Sequence, residues 1–113
     1  MENKELQTVE TKVEEKEIVE GKEYKLRKPI MIDGNKVEVI KYDLEELDGD
    51  DVSTAIKELG KRGIMVTMNE TDQNYHAMIF AIASGLMYED VKRMKIKDFN
   101  SVCNIVRDFF LEE

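Results

Sequence analysis

Between His76 and Ser84 the chain runs through seven apolar residues without interruption, Ala77-Met78-Ile79-Phe80-Ala81-Ile82-Ala83. Charged residues make up 37% of the 113 positions, so this run stands out sharply from its surroundings. At helical spacing Tyr75, Met78, Ile79, Ile82 and Leu86 form one stripe, while Phe80 and Ala83 extend apolarity to the other side. A helix that is apolar all round has to be covered all round. A folded part of about ninety residues, built from mostly short elements, has little material for that task. Two arrangements meet the requirement. Either this is a central core helix sandwiched between other elements, or one face packs internally and the other meets a second copy or a partner.

A second apolar helix closes the sequence. "KDFNSVCNIVRDFF" (97–110) is read as a helix over 99–111 with Asp98 as its cap. At 100° per residue, Phe99, Val102, Cys103, Ile105, Val106, Phe109 and Phe110 fall in one sector of roughly 160°. Asn100, Ser101, Asn104, Arg107, Asp108 and Glu112 fill the other side. That pattern describes a one-faced helix laid on a core.

The remaining elements are shorter. Residues 1–23 hold eight acids and four lysines with few large apolar side chains, Leu6, Val9, Val13 and Ile18 being too sparse to close a core. They are expected to form a disordered, mobile acidic tail, with transient helix over 10–20, ahead of a single domain at 24–113. "YKLRKPIMIDGNKVEVIKYDL" (24–44) carries a hairpin signal, Asp33-Gly34 between β-rich runs. A two-residue loop pairs Ile30 with Val37. A three-residue loop pairs Leu26 with Tyr42 and Tyr24 with Leu44, and a bulge near Val39-Ile40 reconciles the two. Pro29 cannot donate to a ladder and marks an edge or an interruption.

"LEELDGDD" (44–51) leads into a helix over 51–59 with Val52, Ala55, Ile56 and Leu59 on its apolar stripe, ended by Gly60 or Gly63. Residues 64–72 read as a short strand or an extended connection. Asn69 or Thr71 caps a helix over 72–84 that stops at Gly85, and a short helix near 89–93 follows. The expected fold is α+β: an N-terminal β-hairpin packed with a small bundle of three to four α-helices, preceded by the acidic tail.

Composition narrows the function. The net charge is −8 and the pI about 4.8. A field of that sign repels phosphate backbones, and "KRG" (61–63) and "KRMKIK" (92–97) are too short and interrupted to form a basic patch. No apolar run approaches the roughly 20 residues of a membrane span, and "MENKELQTVE" lacks a secretory layout. Cys103 is the lone cysteine, which excludes an internal disulfide and suits a reducing cytosol. The mean hydropathy of −0.48 agrees with a soluble protein.

The chemistry-bearing residues are few. His76 is the lone histidine. Its pairing with Cys103 as a catalytic dyad is the enzyme reading, yet a thiol within an apolar stripe is ordinarily inert. The acids of 43–51 fail the calcium-loop spacing: with Gly49 as the sixth residue, the first would be Leu44. Gly85 has no glycine-rich neighbourhood to cradle phosphate. No catalytic residue, metal ligand or cofactor is therefore expected. Six internal methionines (31, 65, 68, 78, 87, 94) suit adaptable packing or varied apolar partners.

Residues 24–111 resemble the small tail assembly chaperones of tailed bacteriophages. Ala83-Ser84-Gly85-Leu86, Glu89-Asp90-Val91 and the series Asp98, Phe99, Val102, Val106, Phe109 carry the likeness in the second half. Lys28-Pro29-Ile30 and Asp33-Gly34 carry it in the hairpin, where Asn35 before Lys36 is a one-residue departure. The resemblance implies a non-catalytic factor that binds the long, apolar, helical tape measure protein and keeps it soluble until tail tube subunits polymerise. It implies action in the host bacterial cytoplasm and absence from the mature virion; the acidic charge and the short apolar runs lead to no expected nucleic-acid or membrane partner. The tail tube protein and a frameshifted longer form of the chain are further implied partners, and a homo-oligomer is expected. Phe109-Phe110-Leu111 suits a slippery uridine run, which the coding sequence tests. Tyr75, Ile79, Phe80, Phe109 and Phe110 are the expected partner or self-association residues. The competing reading is an acidic inhibitor or nucleic-acid mimic that binds a basic host protein.

Overall fold

The structure, a computed structural model, describes residues 22–112. Strands β1 (Lys22–Ile32) and β2 (Asn35–Tyr42) form an antiparallel hairpin, followed by helices α1 (Gly49–Lys61), α2 (Gln73–Ser84), α3 (Tyr88–Lys92) and α4 (Ile96–Leu111). This is the α+β hairpin-and-helices class expected from the sequence. The expected tail over 1–21 lies outside the described residues, and Lys22 and Glu23 are part of β1.

The hairpin turns through Asp33 (φ 51) and Gly34 (φ 81), two consecutive left-handed residues. That is the turn whose twist matches right-handed strands. It sets Ile32 opposite Asn35 and Ile30 opposite Val37. Further from the turn the register changes: Lys25 faces Val39, Tyr24 faces Ile40 and Lys22 faces Tyr42. Leu26 to Pro29 therefore stand against Glu38 alone. The two-residue loop is the one adopted, and the Leu26–Tyr42 and Tyr24–Leu44 pairs do not occur. The bulge lies in β1, at the residue with no N–H to donate, rather than at Val39-Ile40.

The bulge releases backbone donors, and Asp98 takes them. The Arg27 N–H donates to both carboxylate oxygens at 3.0 and 3.1 Å, and the Lys28 N–H donates at 3.2 Å. The Tyr24 hydroxyl donates at 2.7 Å. Asp98 is therefore not the cap of the last helix. Helix α4 starts earlier, at Ile96 after Lys95, and Asp98 lies in its first turn. Its carboxylate is 0% exposed, and a buried acid needs such donors to stay charged.

The other helix ends follow local rules. Asp48 and Asp51 cap α1 reciprocally, each carboxylate accepting from the other's N–H at 3.1 and 2.9 Å. Gly63, at φ 76, lets the Ile64 N–H reach back to the Leu59 carbonyl at 2.9 Å. Asp72, rather than Asn69 or Thr71, caps α2, accepting from the Tyr75 N–H at 3.0 Å. Gly85 ends that helix in the left-handed conformation, as expected. Residues 64–72 contain no strand.

Helix α2 is the centre of the molecule. Every residue from Tyr75 to Ala81 is buried, against α1, α3, α4 and β2. The Tyr42 and Phe80 rings meet with centroids 5.2 Å apart. The Asp43 N–H donates to the Ala83 carbonyl at 3.0 Å, fastening the end of β2 to the last turn of α2. Of the two arrangements open to the apolar run, the central core helix is the one formed. Four short elements suffice because a twelve-residue helix spans only about 18 Å.

Replacing Asp98 by Ala leaves the Arg27 and Lys28 amides without acceptors, and the expected loss of stability is about 3 kcal/mol. Tyr24→Phe removes one donor and costs about 1 kcal/mol. Burial alone would raise the Asp98 pKa, but the Arg27 amide, the Tyr24 hydroxyl, the Lys28 amide and the Arg27 charge together hold it below its ordinary 3.8. A depressed carboxyl contributes stability above the unfolded value, and that contribution is lost as pH falls through the folded one. Urea midpoints measured below pH ~4 therefore fall more steeply for the wild type than for Asp98→Asn.

Candidate protein-docking site

The residues named from the sequence divide into two groups. Tyr75, Ile79 and Phe80 are enclosed by this chain's own elements, so none of the three is offered to a partner in the described fold. Phe109 is half-buried, and Phe110 is 43% exposed. The Phe110 ring stacks on Tyr75 at 6.0 Å and meets Phe109 edge-on at 5.9 Å.

Phe109 lines a groove of about 430 Å³ together with Tyr42, Leu44 and Ile105 on its apolar sides. Lys22, Asp43 and Glu45 complete its lining. The residues converge because the hairpin's end and the last turns of α4 lie on the same side of α2. Tyr42 and Leu44 follow one another on one face where β2 leaves the sheet, and Asp43 between them is held by Ala83. Ile105 and Phe109 are four residues apart and share a helix face. Phe110 meets Phe109 beside the groove, and the next residue, Leu111, is 63% exposed. In the sequence Ile105 falls in the apolar sector of α4 with nothing to separate it from the core. Tyr42 reads as a hairpin residue and Leu44 as the junction between hairpin and turn. The available signal was the width of the α4 sector, wider than the ≳ 100° stripe a single buried face requires.

The polar candidates are engaged within the fold. Cys103 is buried, its thiol donates to the Gln73 carbonyl at 3.6 Å, and burial pushes its pKa up to about 12. A thiol in that state is a poor nucleophile. Arg62 holds Glu89 at 2.8 Å and Glu58 at 3.1 Å, joining α1 to α3, and its guanidinium lies over the Tyr88 ring. Lys92 lies over Tyr88 and Phe99, and Arg93 pairs with Asp90 and reaches the Met31 carbonyl at 3.3 Å. The two short basic runs thus brace neighbouring elements. Among the described residues no group of three or more His, Cys, Asp or Glu side chains is placed to hold a metal. No helix among the described residues is long and apolar enough to cross a membrane. Met65 and Met68 in the α1–α2 connection, and Met31 and Met87, are exposed, while Met78 and Met94 are core.

These features define a small α+β domain whose open feature is an apolar groove at the end of its last helix. The family model "Phage tail assembly chaperone proteins, E, or 41 or 14" matches residues 23–111. The chain belongs to this family of phage tail assembly chaperones, as the likeness over 24–111 implied. No curated protein and no solved structure matches it.

His76 is the one buried polar side chain among the described residues left incomplete, its Nε2 having no hydrogen-bond partner. Burial lowers its pKa below the ordinary 6.5; Asp72 opposes this, Arg107 adds to it, and a backbone hydrogen bond to Asn69 opposes it. A histidine with a depressed folded pKa leaves the unfolded chain binding more protons, so stability falls as pH drops from about 6.5. Denaturation midpoints taken from pH ~7.5 to ~5 decline for the wild type. The decline is shallower for His76→Leu, whose stability at pH ~7.5 stays within about 1.5 kcal/mol of the wild type.

Proposed function

We propose that this chain is a non-catalytic assembly factor that binds the tape measure protein and keeps it soluble until the tail tube polymerises. Family membership supports the assembly role. The single observation that favours a protein client is the groove formed by Tyr42, Leu44, Ile105 and Phe109 on a helix end that also exposes Phe110 and Leu111. An amphipathic helix laid against such a groove buries its apolar face, with side chains at three- and four-residue spacing as anchors. The net charge of −8 keeps the loaded chaperone dispersed while it carries an apolar client.

The contact site shifts from the centre of α2 to the end of α4. Phe109 and Phe110 remain proposed contact residues; Tyr75 stacks under Phe110, while Ile79 and Phe80 belong to the core. The acidic body holds the client away from other clients, and the apolar groove makes the contact. Binding is therefore weakly salt-dependent, unlike capture of a basic protein by an acidic mimic. Action in the host cytoplasm, absence from the finished particle, homo-oligomerisation, and association with the tail tube protein and with a frameshifted longer form complete the proposal.

Co-expression with the tape measure protein of the same phage tests the reading. A soluble complex is expected that survives raised salt. Phe109→Asp places a charge on the groove wall, and should abolish the complex while leaving the circular dichroism spectrum unchanged. A tape measure protein that stays insoluble and uncomplexed beside the folded wild-type chain overturns the proposal.

A further inference from the structure

We propose that the surface formed by Lys25, Arg27 and Lys28 of β1 with Lys95 and Lys97 of α4 is a docking site for an acidic segment of a partner protein, with Ile96 as its apolar contact. The two basic stretches are about seventy residues apart in the chain, and Asp98 brings them together. Its carboxylate accepts from the Arg27 and Lys28 amides, which lays the bulge of β1 against the first turn of α4. Arg27 also reaches that helix through its guanidinium, Nη1 donating to the Ser101 hydroxyl at 3.4 Å. All five cationic residues are exposed, and Ile96, between the two lysines of α4, is 74% exposed. Lys92 and Arg93 of the same basic run are occupied as braces. Among the described residues the five are in no ion pair. Nearby acids are engaged: Asp98 is buried beneath the amides, Asp90 pairs with Arg93, and Glu38, opposite the bulge, pairs with Lys36.

This placement of charge runs against the local rules of the fold. Lys95 and Lys97 stand at the positive end of the α4 dipole, where cations are disfavoured. The strand sets three further cations beside them. Like charges gathered so closely repel one another, and carboxylates of a neighbouring chain relieve that repulsion and steer its approach. The dimensions suit a short segment. Lys25 to Lys28 covers about 10 Å of strand and one helical turn about 5 Å, the reach of roughly four extended residues. Nucleic acid fits less well: a chain of net charge −8 repels a long polyanion. Tyr24 and Phe99, the aromatic residues beside the patch, are half-buried and offer no open ring for base stacking. Lys97 and Phe109 are about 18 Å apart along α4. The patch and the groove are therefore separate surfaces, and the inference does not depend on the tape measure reading.

Fluorescence anisotropy of a labelled synthetic peptide of alternating glutamate and leucine, titrated with the full chain, provides the test. Binding is expected at low salt and weakens as ionic strength rises. The triple variant Lys28→Gln/Lys95→Gln/Lys97→Gln keeps every backbone donor to Asp98. It should bind the peptide about tenfold more weakly, with an unchanged circular dichroism spectrum. A control variant, Lys36→Gln/Lys41→Gln/Lys57→Gln, makes the same change in net charge elsewhere on the surface and should bind within about twofold of the wild type. No binding at low salt, equal losses in the two variants, or equal binding of a glutamine–leucine peptide overturns the proposal. So does tighter binding of a single-stranded DNA oligonucleotide of matched charge, which makes nucleic acid the occupant. Self-association of the chain alone, abolished by the first triple variant in sedimentation, also overturns it by making a second copy the occupant. Co-expression with the tape measure protein separates this reading from the client reading, because the first triple variant should still form that complex. A tape measure protein left insoluble while the peptide binds removes the client and keeps the patch. A soluble complex without peptide binding does the reverse.

Discussion

The Asp98 carboxylate joins the two ends of the described chain. It sits in the first turn of α4 and accepts from the amides of Arg27 and Lys28 and from the Tyr24 hydroxyl, all on β1. A fully buried charge is costly unless its lone pairs are met, and here β1 meets them with donors that its own hairpin cannot use. The bulge and the aspartate explain each other. Without the bulge the Arg27 and Lys28 amides would point along the ladder; without Asp98 the bulge would leave them buried and unpaired. A two-stranded hairpin is marginal by itself in water. This one is fixed because its irregular segment is fastened to the last helix.

Once β1 and α4 are fastened together, α2 has its surroundings. The Asp43–Ala83 hydrogen bond fixes the far end of β2 to α2, and the Tyr42–Phe80 contact fills the space beneath it. On the other side, Arg62 bridges Glu58 and Glu89, so α1 and α3 close over α2 as a unit. These ion pairs are exposed and individually weak. The apolar burial of Leu59, Ile79, Phe80, Val91, Val102 and Val106 supplies the driving force, and the polar links select one arrangement of it.

Local signals were readable from the sequence, while long-range ones were not. Asp33-Gly34 announced the turn, Gly85 the end of α2, and the apolar run its burial, because each depends on neighbours within a few residues. Asp98 looked like a helix cap because an aspartate one residue before an apolar-periodic run ordinarily is one. Its real partners are about seventy residues earlier, and no local pattern encodes them. The bulge was expected on the wrong strand for the same reason: the residue that stabilises it lies outside the hairpin. The central helix posed a question of coverage, which depends on the whole assembly. The groove was hidden in α4, where core residues and groove residues fall in one apolar sector.

The two ends of α4 serve opposite purposes. At its start, Asp98 is locked to β1, and Val102, Cys103 and Val106 are sealed in the core. Towards its end the helix lacks a basic residue in the last turn, and Asp108 and Glu112 set negative charge against the negative end of the helix dipole. Its last amide bonds are the weakly supported part of the helix, and they carry the exposed aromatic and leucine side chains. Local opening of a protein concentrates where few buried contacts hold the backbone. A contact surface built there can adjust to an apolar ligand without disturbing the Asp98 anchor three turns away. Stability and adaptability are thus separated along one helix, and the apolar sector that looked uniform in sequence divides into a sealed half and an open half.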